Sequence, residues 1–177
     1  MTANSTTIVG GHFKGTRIRT GRGNRIRPTL SRVRKAIFDL LPDLSGKDVL
    51  DLYAGAGTLG FEALSRGASS VTFVERDSYA ARLVEKNSLL FEEGRTTIVR
   101  TGCHRFLERT KRSWDIILAD PPYGDTDLSD LKEKAMGRLK PGGILVMETS
   151  VRQPWEDDRA ITRRYGDTRV SLIPGEA

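Results

Sequence analysis

The sequence predicts an α/β protein: a doubly wound, mostly parallel sheet with an antiparallel C-terminal hairpin, preceded by a basic hairpin-and-helix extension. Three observations predict it. From Lys47 onward, apolar runs of strand length alternate with amphipathic segments of helix length. A glycine-rich loop directly follows the first of those strands. Basic charge is concentrated before residue 40, where the alternation has not yet begun.

Each element has its own signal. In the extension, Gly11–Phe13 and Thr16–Ile18 flank Lys14-Gly15 and are expected to pair as a hairpin. Gly21-Arg22-Gly23-Asn24 reads as a loop, and Pro28 ends any extended segment. Thr29 or Ser31 then caps a helix to about Leu41, with Val33, Ala36, Ile37, Leu40 and Leu41 as its apolar stripe and Arg32, Arg34 and Lys35 off it. Strands are expected at 47–53 (KDVLDLY), 70–75 (SVTFVE), 96–100 (TTIVR), 114–120 (WDIILAD) and 144–150 (ILVMETS). Helices are expected at 59–67, 78–94, 104–111 and 128–139, the first two closed by glycine and the last by a Pro-Gly-Gly turn. The segment 160–173 reads as a hairpin turning at Gly166-Asp167.

The chain has 177 residues, the size of one domain, and needs no covalent staple for a core. With 37% hydrophobic and 29% charged residues it is neither disordered nor a coiled coil. No run approaches the ~18 apolar residues of a membrane span, and Met1–Ile8 lacks an apolar signal core, so a cytoplasmic protein is expected. The single cysteine, Cys103, excludes an internal disulfide and a cysteine zinc cluster, and no metal is expected. The net charge of +6 is unevenly placed. Residues 1–40 hold nine basic residues and one acid, a net of +8; the other 137 hold 20 basic and 22 acidic, a net of −2. Seven of the nine are arginine, whose planar guanidinium grips phosphate in two places. Residues 1–40 are therefore read as a polyanion-binding arm and helix, with Lys14, Arg17, Arg19, Arg22, Arg25, Arg27 and Arg32 as candidate RNA contacts, and 41–177 as the catalytic domain.

Gly55, Gly57 and Gly60 satisfy G-x-G-x-x-G between a strand and a helix. Glycines are needed where the chain turns tightly and a ligand approaches the backbone. Glu75 ends the second strand, where a carboxylate accepts both hydroxyl protons of a ribose. Asp51, four residues before Gly55, would repel a pyrophosphate but suits the cations of S-adenosylmethionine; it could equally hydrogen-bond loop amides. The loop leans toward S-adenosylmethionine over a dinucleotide. Tyr53, Ala54 and Arg76, neighbours of these residues, complete the expected cofactor contacts on this side.

Asp120-Pro121-Pro122-Tyr123 follows the fourth strand. The two prolines stiffen the backbone and leave carbonyls as acceptors. The Asp120 carboxylate and Pro121 carbonyl together can hold the two protons of a ring-bound amine, whose lone pair is otherwise delocalised. Tyr123 offers a face for the base to stack on. These four are the expected catalytic residues, and Asp120 also borders the cofactor.

Asp51-x-x-x-Gly55-x-Gly57, Glu75 and Asp120-Pro121-Pro122-Tyr123 together resemble the amino-methylating S-adenosylmethionine-dependent methyltransferases. The stretches IVGGHFKGTRI, RIRPTLSRVRKAIFDLL, VLDLYAGAGTLGFEALSRGA and ILADPPYG resemble more narrowly the RsmD family, bacterial methyltransferases of 16S ribosomal RNA acting on N2 of guanine 966. The likeness runs from about Ile8 to Ser150, and YGDTRVSLI resembles the family's closing hairpin. It implies a seven-stranded Rossmann-like sheet, direct in-line methyl transfer with the base splayed out of its RNA, a substrate within the 30S subunit or an assembly intermediate, and a monomeric enzyme. One departure is Arg100-Thr101-Gly102-Cys103-His104, where many relatives have Asn or Asp; adenine recognition there is expected to fall to backbone atoms of Gly102 or Cys103. Competing readings are an adenine-N6 DNA or RNA methyltransferase, a glutamine-N5 protein methyltransferase (usually Asn at the first tetrad position), a non-catalytic RNA-binding ribosome-assembly module and an NAD-dependent oxidoreductase. His12, His104 and Cys103 are read as surface or packing residues rather than ligands or nucleophiles, Trp114 as packing at the start of the fourth strand, and Glu148 as a structural acid; Trp155 receives no role.

Overall fold

A computed structural model describes residues 4–21, 31–122, 124, 127–153 and 155–176. Arg22, Arg25, Arg27 and Tyr123 lie outside the described residues. The extension comprises β1 (Asn4–Thr7), β2 (Arg17–Gly21) and α1 (Ser31–Leu40). Then β3 (Asp48–Leu52), α2 (Thr58–Ser65), β4 (Ser70–Val74), α3 (Ser78–Ser88) and β5 (Thr96–Val99) form one half of the main sheet. The other half comprises α4 (Cys103–Arg109), β6 (Trp114–Ala119), α5 (Leu128–Met136), β7 (Leu139–Ser150), β8 (Ile161–Tyr165) and β9 (Thr168–Pro174).

Seven strands lie in the order β5-β4-β3-β6-β7-β9-β8. β3 to β7 are parallel; β9 is inserted antiparallel between β7 and β8. The expected hairpin is present, but its first strand, β8, forms the edge and runs with the parallel set. The central strands β3, β4 and β6 are buried on both faces, which is why they read as continuous apolar runs, whereas β8 at the edge is exposed. Val49, Phe73, Ile116 and Leu118 face a core with Leu59 and Phe61 of α2 and Val84 of α3; Leu50, Leu52, Ile117 and Met147 face another with Leu107 of α4 and Leu131 of α5. Winding reverses between β3 and β6, the place where open α/β sheets bind ligands.

Three details depart from expectation. In the hairpin of the extension, β2 pairs with β1, Thr7 opposite Arg17 and Asn4 opposite Gly21, rather than with Gly11–Phe13. Residues 10–13 are used instead to dock on α2. His12 N–H donates to the Ser65 carbonyl (2.7 Å), Phe13 N–H to Ser65 Oγ (2.9 Å), and Ser65 Oγ–H to the Gly10 carbonyl (2.5 Å). Gly11, at φ 76°, sits where a Cβ would lie 1.9 Å from the Ser65 carbonyl oxygen. The second departure is α3, which ends at Ser88 rather than near 94, because a tight turn delivers Phe91 to the Phe61 ring, 4.7 Å away and nearly parallel. The third is Pro141-Gly142-Gly143, which lies within β7. Its irregular register against β6 is accommodated by Gly142 at φ 70°, whose N–H bonds the Glu176 carbonyl.

The extension is built into the body. Ile8, Ile18, Val33, Ile37 and Phe38 share a core with α2 and the sheet. Arg34, grouped above with the basic charges of the arm, is fully buried. Its Nη2 donates to the Thr7 carbonyl (2.6 Å) and its Nε lies 3.4 Å from Glu62 Oε2, so it cannot face a phosphate. No described helix is long and apolar enough to cross a membrane.

Candidate active site at the carboxyl edge of the sheet

Register places the site. Leu52 is level with Val74 on one side and Ala119 on the other, and Val74 with Val99. The residues that follow, Tyr53, Glu75, Arg100 and Asp120, therefore leave four adjacent strands at one height, with ~5 Å between neighbours.

The loop after β3 is bent by left-handed residues: Tyr53 at φ 57°, Gly55 at 56° and Gly57 at 82°. Tyr53 stands out, since a side chain rarely adopts this conformation. Its N–H reaches Cys103 Sγ at 3.2 Å, and Ala54 N–H bonds the Val74 carbonyl at 3.1 Å. Glu75 braces the loop from the side: Oε2 accepts from Gly55 N–H (2.9 Å) and Oε1 from Asp77 N–H (2.8 Å). Each oxygen keeps a second lone pair, so the carboxylate can still accept from a ligand. Asp77 in turn caps α3 through the amides of Tyr79 and Ala80.

The glycines divide the work. A Cβ on Gly60 would lie 2.3 Å from the Phe73 ring, and one on Gly57 2.5 Å from the Phe61 ring, so both permit close helix–sheet packing. Gly55 is half-buried, and its N–H is held by Glu75. Gly102 opens α4, and a Cβ there would meet nothing within 4 Å, so that side of the edge is open.

Asp51 is 1% exposed, and its Oδ2 accepts from Gly60 N–H at 2.9 Å, the loop-amide reading of this residue. Burial, only partly offset by that amide, pushes its carboxyl up to about 7. The folded-state value lies above the unfolded value of ~3.9. Its contribution to stability is therefore full below about pH 4 and is lost as pH rises toward 7, at ~1.4 kcal/mol per unit. In the cofactor-free protein, Asp51→Asn is expected to gain on wild type by roughly 5 °C or more in Tm between pH 5 and 8. A Tm offset that does not change with pH would show that Asp51 is ionised throughout.

Burial likewise pushes the Cys103 thiol up to about 12, which agrees with its reading as a packing residue. Trp114 is fully buried at the start of β6, as expected. His104 pairs through Nδ1 with Asp130 (2.7 Å). Trp155 is buried in the second core, and Arg169 bonds its carbonyl.

Asp120 is half-buried, Pro121 buried and Pro122 exposed at the end of β6. The structure thus gathers Asp51, Tyr53, Ala54, Gly55, Gly57, Gly60, Glu75, Gly102, Cys103 and Asp120 along one edge, with Arg76 exposed beside Glu75. It does not bring all the basic residues there. Lys14 adjoins Phe13 at Ser65, the far end of α2 from the glycine loop. Arg32 is exposed in the first turn of α1. Arg17 and Arg19 are exposed on β2, whose last residue, Gly21, lies against the Tyr79 ring.

Asn87 escaped the sequence reading. It is 1% exposed; its Oδ1 accepts from Arg19 N–H (3.0 Å), and its Nδ2 donates to the Arg19 (2.9 Å) and Ala56 (3.0 Å) carbonyls. It joins β2, α3 and the glycine loop. The available signal was a lone amide on the Ala80–Leu83–Val84 stripe of an otherwise apolar helix face.

This strand order, with a glycine loop after the first strand of the sheet and an Asp-Pro-Pro loop after its neighbour, defines a Rossmann-like methyltransferase. The family described as Conserved hypothetical protein 95 matches residues 6–173, and the chain belongs to that family. It is 31% identical over 145 residues to Ribosomal RNA small subunit methyltransferase D of Escherichia coli, covering 81% of this chain and 71% of that one. Putative methyltransferase yhhF of Escherichia coli superposes with a TM-score of 0.85 at 27% identity, covering 98% of this chain and 99% of the other. A 16S rRNA N2 methyltransferase of Thermus thermophilus, solved with AdoMet and guanosine, shares the fold with a TM-score of 0.75 at 20% identity, over 99% of this chain and 50% of that one.

Proposed function

We propose that this protein transfers a methyl group from S-adenosylmethionine to the exocyclic N2 of guanine 966 in 16S rRNA, as a cytoplasmic monomer acting on the 30S subunit or a precursor. The observation that carries the reading is the level register of β3 and β6, which sets the Glu75-braced glycine loop beside Asp120 and Pro121. The cofactor fits the residues present. Two carboxylates, Asp51 and Glu75, border the loop, which suits a ligand bearing cations rather than phosphates, and Gly102 leaves open space at the same edge. When bound, it supplies a methyl group on a positively charged sulfur.

The remaining chemistry belongs to the chain. Glu75 accepts from ribose hydroxyls, the backbone of Gly102 and Cys103 meets the adenine edge, and Tyr53, Ala54, Gly55, Gly57, Gly60 and Arg76 form the wall of the cofactor site. The Asp120 carboxylate and the Pro121 carbonyl accept hydrogen bonds from the two N–H groups of the guanine amine, which loses one proton in all as the bond from sulfur to methyl breaks and the bond from nitrogen to methyl forms. These hydrogen bonds draw its lone pair out of the ring and stabilise the positive charge that develops on nitrogen. Pro122 stiffens the loop and Tyr123 stacks on the base. Residues 1–40 serve as the RNA-binding unit and 41–177 as the catalytic one.

The test is incubation with labelled cofactor and, in parallel, 30S particles, naked 16S rRNA, duplex DNA and release factor. Label is expected in the ribosomal samples alone, at N2 of one guanine. Label at an adenine N6 or a glutamine, or in no sample, overturns the reading.

A further inference from the structure

We infer that the RNA-binding surface extends beyond the N-terminal arm onto α3, where Tyr79, Arg82 and Lys86 continue the Arg17–Arg19 row of β2 toward the catalytic edge, with Tyr79 as a stacking platform for an unpaired base. The inference rests on the RNA-substrate reading above and adds to it a surface that the charge count does not show.

The register of the two elements is fixed. Asn87 holds both the N–H and the carbonyl of Arg19, and Gly21 lies against Tyr79 and Leu83 at the other end of the contact. Leu83 and Asn87 therefore mark the seam. Along β2, Ile18 and Thr20 are buried, while Arg17 and Arg19 face solvent. Along α3, Tyr79, Arg82, Glu85 and Lys86 are exposed. At about 100° per residue, Tyr79 and Lys86 lie about 40° and 60° from Leu83, both on one side of it, and Arg82 about 100° on that same side. Glu85, the acid on this helix, lies about 160° from Leu83, past Arg82 and on the far side of that row from the seam. The side of α3 next to the arm is thus aromatic and basic, with Glu85 at the outer border of the row.

Two further features point to a polyanion with exposed bases. Among the described residues, no acidic side chain pairs with Arg17, Arg19, Arg82 or Lys86, whereas Lys35, Lys132, Lys134 and Lys140 are each paired with a carboxylate. Tyr79 is 41% exposed although it is a large aromatic, and it stands four residues beyond Glu75, in the first turn of α3. Aromatic faces beside a cationic row are the means by which proteins hold single-stranded nucleic acid without reading its sequence. A target base that leaves its helix to reach Asp120 leaves neighbours unstacked, and Tyr79 offers one of them a partner.

The experiment measures binding of a fluorescent single-stranded oligoribonucleotide of mixed sequence across a salt series, together with kcat and KM on 30S particles. Arg82→Gln with Lys86→Gln is expected to weaken binding by about tenfold at low salt and to reduce the slope of log K against log salt by ~1.4, two phosphate contacts at ~0.7 each. Tyr79→Ala is expected to weaken binding by about tenfold with the slope unchanged, and Tyr79→Phe to restore it. In the Arg82/Lys86 and Tyr79→Ala variants KM for particles rises, while kcat and cofactor affinity hold. Arg105→Gln with Arg109→Gln, on the exposed side of α4, serves as the comparison and is expected to leave the slope unaltered. An unchanged slope in the Arg82/Lys86 variant, or equal losses from the α4 variant, overturns the α3 surface while methylation of particles by wild type leaves the RNA-substrate reading standing. Failure of the wild type to bind the oligoribonucleotide and to label particles overturns both.

Discussion

Replacing Asp120 by Ala is expected to lower the methyl-transfer rate on 30S particles by about 10²- to 10³-fold, the usual loss when one preorganised electrostatic partner of a transition state is removed. Cofactor affinity is expected to change little, because Gly55 N–H of the loop that would hold the cofactor is held by Glu75 and Tyr53 N–H by Cys103. The reasoning turns on the amine. Its lone pair is shared with the ring, and the nitrogen attacks only as it pyramidalises and becomes positive. A carboxylate accepting one proton favours that change more than it favours the flat ground state, so its loss falls on kcat rather than KM. Asp120→Asn keeps an acceptor but loses the charge, and is expected to lie between Ala and wild type. Single-turnover rates on particles, with cofactor binding measured separately, check all three proteins. An Asp120→Ala enzyme within tenfold of wild type would remove this carboxylate from the chemistry.

The parts of the site legible in sequence were those whose chemistry is local. G-x-G-x-x-G, Glu75 at a strand end and Asp120-Pro121-Pro122 each announce a backbone shape, and register then sets them side by side. What was hidden depends on contacts distant in sequence. Asn-Ser-Thr-Thr has no apolar alternation because β1 is largely exposed, so nothing local marks it as the partner of β2. Arg34 reads like its basic neighbours; only Glu62, 28 positions later, shows that it is interior. Asn87 matters because Arg19, 68 residues earlier, needs a partner for its backbone. The same distance explains the role of the glycines: only the Phe61 and Phe73 rings show that Gly57 and Gly60 are small in order to pack.

Glu62→Ala is expected to be strongly destabilising, at about 3–5 kcal/mol, the range for breaking a buried pair. Glu62 is fully buried in the middle of α2, the helix that begins at the glycine loop. One carboxylate oxygen accepts from Val9 N–H (2.9 Å) and faces Arg34 Nε (3.4 Å); the other meets Arg66 Nε at 2.9 Å. Burial lowers the Arg34 guanidinium from its ordinary value and Glu62 opposes the shift, so removing Glu62 strands a cation in the core together with an unbonded amide. Glu62→Gln retains an acceptor for Val9 and is expected to cost less. The double variant Arg34→Met with Glu62→Leu leaves no charge unpaired and is expected to recover most of the loss, as apolar replacements of buried pairs often do. Because the pair is shielded from solvent, the loss is expected to persist in high salt, unlike that from the exposed Lys35–Asp39 pair. Denaturant melts of the four proteins at low and high salt decide it. A cost for Glu62→Ala under about 1 kcal/mol, or one that vanishes in salt, would show that the extension is held by its apolar core and its bonds to Ser65 and Asn87 rather than by this pair. The functional consequence follows from where α2 sits. The pair joins the extension to the helix that carries the glycine loop, so a chain that has lost it is expected to lose RNA affinity before it loses cofactor affinity.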